Sequence, residues 1–161
     1  VKDIIEGYNI LSEKGEFGDV YVQGSGRTNS VLSYILITLE ACGFDVGSIM
    51  TMNGNKILDD PLELVRSNMF GIDTYRPCVD ELMIREELSF DLSDKGLIVK
   101  TDKGEVKIVF DEKRFRPSDV PILLSNPEKI SEMGYKIRSS LRDIINDQVN
   151  YYMDNDNRGM I

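Results

Sequence analysis

The chain has 161 residues, of which 41% are hydrophobic and 29% charged, and its formal charge is −9 from 19 basic against 28 acidic side chains. Those proportions belong to a globular domain, the acidic balance argues against a general nucleic-acid binder, and no apolar run reaches the ~18 residues of a membrane span. Histidine is absent, which removes Ser-His-Asp and Cys-His catalysis and the commonest metal ligand.

In chain order, Ile4, Ile5, Tyr8 and Leu11 recur at helical spacing with Gly15 behind Lys14, and predict an amphipathic first helix. Asp19-Val20-Tyr21-Val22-Gln23, between Gly18 and Gly24, predicts a short strand. From Ser30 to Cys42, Val31, Leu32, Tyr34, Ile35, Leu36, Ile37 and Leu39 cover nearly every face, predicting a helix buried on most sides and ended by Gly43. Asp60-Pro61 suits the cap and first residue of a helix reaching Phe70, with Gly71 beyond. A second helix starts at Pro77, where Val79, Leu82, Met83 and Glu86 set the period and the acidic run is a solvated outer face.

The period then changes. Leu97-Val99-Thr101 and Val106-Ile108-Phe110 alternate around Asp102-Lys103-Gly104, the pattern of a β-hairpin. Asn126 as N-cap, Pro127, Glu128 and Gly134 predict a helix of about two turns. Ser140-Leu141-Arg142-Asp143 resembles a capping box and opens a last helix striped by Leu141, Ile144, Ile145, Val149 and Tyr152. Residues 154–161 read as a flexible tail. The whole is a mixed α/β (α+β) fold, read as one domain over residues 1–153.

Cys42 and Cys78 lie far apart without a CxxC, so neither structural zinc nor a disulfide framework is expected. Both are read as small buried hydrophobes in a reducing, cytoplasmic setting. The opening Val1-Lys2-Asp3 carries neither Met nor a secretory leader, and a processed or partial chain is expected.

Gly24-Ser25-Gly26-Arg27, between the predicted strand and helix and with Asp45 about twenty residues on, has the outline of a dinucleotide fingerprint. Its third glycine falls at Asn29, and a helix stands where the first strand should, so the loop reads as a tight turn or as part of another phosphate site.

Three collinear segments carry a resemblance. Gly18-Asp19-Val20-Tyr21-Val22-Gln23-Gly24-Ser25-Gly26-Arg27-Thr28-Asn29-Ser30-Val31, the run Phe110 to Val120 containing Arg116-Pro117-Ser118-Asp119, and Leu123 to Lys129 followed by Gly134-Tyr135-Lys136 are similar to segments of the GDP-mannose 4,6-dehydratase family. Those enzymes are extended short-chain dehydrogenase/reductases of the NAD-dependent epimerase/dehydratase superfamily. With the first helix they span all but roughly residues 45–95, a family-divergent insert. Asp119 stands where the family has Glu, and Tyr135 where it has Trp.

The resemblance implies that the chain is the C-terminal, substrate-binding portion of such an enzyme. Residues 1–24 would join the nucleotide-binding half and 25–153 would form the substrate lobe. It implies that Arg116 contacts the diphosphate of a nucleotide-diphosphate sugar and Asp119 the ribose side, with Arg27, Lys113 and Arg114 as further candidates for the anionic substrate. A guanidinium binds phosphate oxygens through parallel charge-assisted bonds, and a carboxylate accepts from vicinal hydroxyls. The Gly-x-x-Gly-x-x-Gly and Tyr-x-x-x-Lys motifs of these enzymes are not in the chain. No catalytic or cofactor-binding residue is therefore assigned, NAD(P) is expected on the parent enzyme, and the isolated chain is expected to be silent. The first helix and the Val20-Tyr21-Val22 segment should be covered by the missing Rossmann half or by self-association. A related epimerase or reductase, a stand-alone sugar-nucleotide binding module, and an α+β interaction domain are the alternatives. No nucleic acid, membrane or metal is expected as partner.

Overall fold

A computed structural model describes residues 1–69, 72–114 and 120–157. It is mixed α+β, with helices and two antiparallel sheets. The chain divides into two compact units, Val1–Thr28 with Asp119–Ile144, and Asn29–Ser118 with Ile145–Ile161. No helix among the described residues is long and apolar enough to cross a membrane.

In the first unit, α1 (Lys2–Lys14) ends at Gly15, whose N–H donates to the Leu11 carbonyl. Its inward face is not its most apolar one. Gly7 is buried and Asp3 and Glu6 are half-buried, whereas Ile5 and Tyr8 are 53% and 63% exposed. Asp3 turns inward because it accepts the backbone N–H groups of Arg138 and Ser139, at 3.3 and 3.1 Å. Glu6 follows because it pairs with the Arg138 guanidinium at 2.8 Å.

The predicted strand at Asp19–Gln23 does not form: the segment has no regular secondary structure and pairs with no strand among the described residues. Side chains hold it instead. Tyr21 Oη accepts the Glu16 N–H, and Asp19 pairs with Lys129, whose ammonium also lies over the Tyr21 ring. α4 (Glu128–Glu132) starts one residue later than its Asn-Pro signal, with Asn126 Oδ1 accepting the Glu128 N–H at 3.0 Å. It is a single turn closed by Gly134 at φ +105°. The capping box forms with Asp in the Glu role: Ser140 N–H donates to Asp143 Oδ2 and Asp143 N–H to Ser140 Oγ. It opens α5 (Leu141–Met153).

The second unit is built on α2 (Val31–Ala41), β1 (Val46–Thr51), β2 (Lys56–Asp59), β3 (Leu64–Met69), β4 (Ile72–Pro77), α3 (Cys78–Ile84), β5 (Gly96–Thr101) and β6 (Gly104–Val109). The larger sheet runs β2-β1-β5-β6, and β3 pairs β4 separately. The β5–β6 hairpin is as expected, with Thr101 opposite Gly104. Leu36, Ile37, Ile49, Leu97 and Val99 make the core beside Val79, each contributing roughly 1.5–3 kcal/mol by leaving water. α2 ends in a Schellman motif, Phe44 N–H to Leu39 O and Gly43 N–H to Glu40 O, with Gly43 at φ +84°. It is not buried on most sides: Leu32, Ser33, Leu36 and Ile37 face the core, while Val31 is 78% exposed.

The expected helix from Asp60 to Phe70 is replaced by a turn and β3; Phe70 and Gly71 lie outside the described residues. Asp60 sits at φ +45°, a left-handed value that cannot cap a helix start, and Glu63 N–H closes the turn on the Asp60 carbonyl. The chain leaves that turn extended, and α3 returns to it through Cys78 N–H to Glu63 O and Val79 N–H to Pro61 O. The acidic face of α3 is not solvated either. Asp80 and Glu81 are 1% and 8% exposed, while Glu86 is exposed. Cys42 is exposed rather than buried, Cys78 is half-buried, and both are free thiols. Asp154–Asn157 forms a turn beyond α5, with Asn157 Nδ2 donating to the Tyr151 carbonyl; residues 158–161 lie outside the described residues.

Candidate functional site

Segments more than ninety residues apart in the chain meet in the first unit. The Gly24–Arg27 loop lies on Ser125, whose Oγ accepts the Gly26 N–H at 3.4 Å. A methyl group on Gly24 would collide with that hydroxyl and stand 2.5 Å from Ser125 Cβ, so only glycine allows the approach. Gly26 sits at φ +63°, where a methyl group would stand in ordinary contact with the Pro127 ring, 3.7 Å from its Cδ. Gly7 serves the same purpose on α1, since a methyl there would stand 2.8 Å from Gln23 Cδ and 3.0 Å from the Tyr135 ring. Tyr135 is 2% exposed, and burial, then the charges of Asp3 and Glu6, push its phenol up. Lys14 closes the set by donating to the Met133 carbonyl at 2.8 Å.

Arg27 is exposed on this loop. Its backbone N–H donates to Ser25 Oγ at 3.2 Å, and its guanidinium is in no ion pair among the described residues. Lys113 and Arg114 sit together in the second unit, on a 3-10 turn (Glu112–Arg114) just after β6. Asp111 organises that turn, accepting the Lys113 N–H at 3.0 Å and pairing with Arg114 Nε at 3.5 Å. Arg114 is therefore partly neutralised, although its side chain is 89% exposed. Arg116 and Asp119 lie outside the described residues.

Sequence reasoning missed a buried polar cluster in the second unit. Arg76 on β4 is 5% exposed, with its Nε 3.6 Å from Glu81 Oε2. Glu81 also takes a 2.8 Å bond from Arg85 Nε. The Ser67 hydroxyl first, and then Arg85, hold its carboxyl below the usual range against the cost of burial. Asp80 goes the other way: desolvation pushes it up, opposed by its bonding to Ser30 and by the Arg76 charge. Its Oδ1 accepts the Ser30 N–H at 3.0 Å, at the start of α2. The signal was present in the alternation Val65, Ser67 and Thr74, Arg76, but two of the inward residues are polar and one is charged, so the strands looked inside out.

A dinucleotide would need the free N–H groups of the helix start that follows the glycine loop; there the N-cap Ser30 N–H already donates to Asp80 Oδ1. Among the described residues no group of three or more His, Cys, Asp or Glu is placed to hold a metal ion. A scan against protein-family models matches none, and searches of the curated proteins and of the solved structures return no match.

Proposed function

We propose that the chain is the sugar-nucleotide-binding portion of an extended short-chain dehydrogenase/reductase, a GDP-mannose 4,6-dehydratase or a close relative. One observation carries the reading. The first helix, the Gly24–Arg27 loop, the Asn126-Pro127 turn and Gly134-Tyr135 are the pieces that resemble that family, and they pack on one another across sequence gaps of about a hundred residues, through glycines with no room for a side chain. An accidental likeness gives no reason for those pieces to be neighbours.

The exposed apolar residues support the same reading. Ile5 and Tyr8 on α1, with Val20 at 77% and Val22 at 48% exposure on the unpaired segment, form the surface that a nucleotide-binding half would cover. In the full enzyme that half would hold NAD(P) and the catalytic tyrosine. This chain would supply Arg116, Lys113, Arg114 and Arg27 as cations for the diphosphate, and Asp119 as acceptor for the ribose hydroxyls.

Titration calorimetry of the chain with GDP-mannose, on wild type and Arg116→Ala, tests this. Wild type should bind, and the substitution should weaken affinity tenfold or more, since a charge-assisted bond contributes about 1.5–3 kcal/mol. Binding of neither GDP-mannose nor UDP-glucose by the wild-type chain would contradict the proposal.

A further inference from the structure

We infer that Asp80 is a positioning residue that completes the cap of α2 from outside the helix, tying the family-divergent insert to the helix that follows the Gly24–Arg27 loop in the chain. Its significance for substrate binding rests on the function proposed above; the cap itself does not.

In a capping box the N-cap hydroxyl takes the N–H of the third helical residue, and a carboxylate or amide on that third residue returns to the N-cap N–H. α2 has only the first half. Ser30 Oγ accepts the Ser33 N–H at 2.9 Å, but the third residue is Ser33, whose short hydroxyl donates to the Ser30 carbonyl at 3.0 Å instead. Asp80, fifty positions away on α3, supplies the missing carboxylate by accepting the Ser30 N–H at 3.0 Å. The local solution occurs among the described residues at Ser140 with Asp143 and at Asp91 with Asp94. At α2 the acid stands on another element.

The arrangement is costly, which argues that it is not filler. Asp80 is 1% exposed, its second carboxylate oxygen has no hydrogen-bond partner, and the Arg76 guanidinium that offsets its charge is itself buried. A helix–helix contact needing only packing would place an apolar side chain here. What the carboxylate adds is a fixed place for the first residue of α2.

Amide hydrogen exchange by NMR on the full chain tests the cap, with Ile49 and Val99 of the sheet as internal references. Asp80→Ala should speed exchange at Ser30 about tenfold, the size of one buried hydrogen bond, and leave Ile49 and Val99 unchanged. Asp80→Asn keeps an acceptor and should hold Ser30 within about twofold of wild type. The swap Asp80→Ser with Ser33→Asp rebuilds the local box at nearly constant volume and should restore protection; it also decides the matter if the alanine variant does not fold. Unchanged exchange at Ser30 in Asp80→Ala, or no recovery in the swap, would overturn the cap. A loosened Ser30 with undiminished GDP-mannose affinity would overturn the positioning role and leave the proposed function standing. Wild-type failure to bind any sugar nucleotide would remove the function, while the exchange data alone would uphold or overturn the cap.

Discussion

Gly24 and Ser125 are the closest approach in the first unit, and their geometry makes a sharp residue-level test. Gly24 does not adopt a left-handed φ, so backbone conformation does not demand glycine there. Space does, because a methyl would meet both heavy atoms of the Ser125 side chain. Gly24→Ala should destabilise the chain by about 1–3 kcal/mol in chemical denaturation, the range for overpacking a tight contact. Ser125→Gly in the same chain should recover part of that loss by removing the colliding atoms. If Gly24→Ala were neutral, the loop would not rest on Ser125.

At the scale of elements, the legible pieces were those whose apolar and polar residues divide in the ordinary way. The β5–β6 hairpin, the Ser140-Asp143 box and the Gly43 and Gly15 stops could all be read from residue type and spacing. Several of the elements that misled share one feature, a polar or charged side chain turned inward. On α3, Asp80 and Glu81 are buried where a solvated face was expected; on β3 and β4, Ser67 and Arg76 break the apolar alternation that marks a strand. On α1, Asp3 and Glu6 face in because backbone N–H groups and Arg138 await them, a requirement set 132 residues or more away in the chain. Of the candidate site, the glycine loop and the basic residues could be named in advance. Asp80's role could not, since it depends on which helix start α3 happens to meet.

The orientation of α1 carries its own prediction. A residue on a helix's buried apolar stripe costs several kcal/mol when replaced by a charge, whereas a surface substitution usually stays within about 0.5 kcal/mol. Ile5 is 53% exposed, so Ile5→Lys should leave the denaturation midpoint of the isolated chain nearly unchanged. A large loss would mean that the stripe is covered, by a second copy or by the chain itself.

At the scale of the whole molecule, each unit has its own means of support. The second has a four-stranded sheet, a two-stranded hairpin and most of the apolar core. The first has little buried apolar area beyond Ile130 and Tyr135, and relies on glycine-mediated contacts and on Asp3, Glu6 and Lys129 as ties. Such a unit is a poor candidate for a self-sufficient core and a good one for a surface completed by another body. The most direct measurement is an NMR titration of the isotopically labelled full chain with GDP-mannose, following every assigned backbone amide. The proposed function predicts saturable shifts at Gly24–Arg27 and at Lys113 and Arg114, with β2 and the β3–β4 strands unmoved; no saturable shift at either basic segment would contradict it.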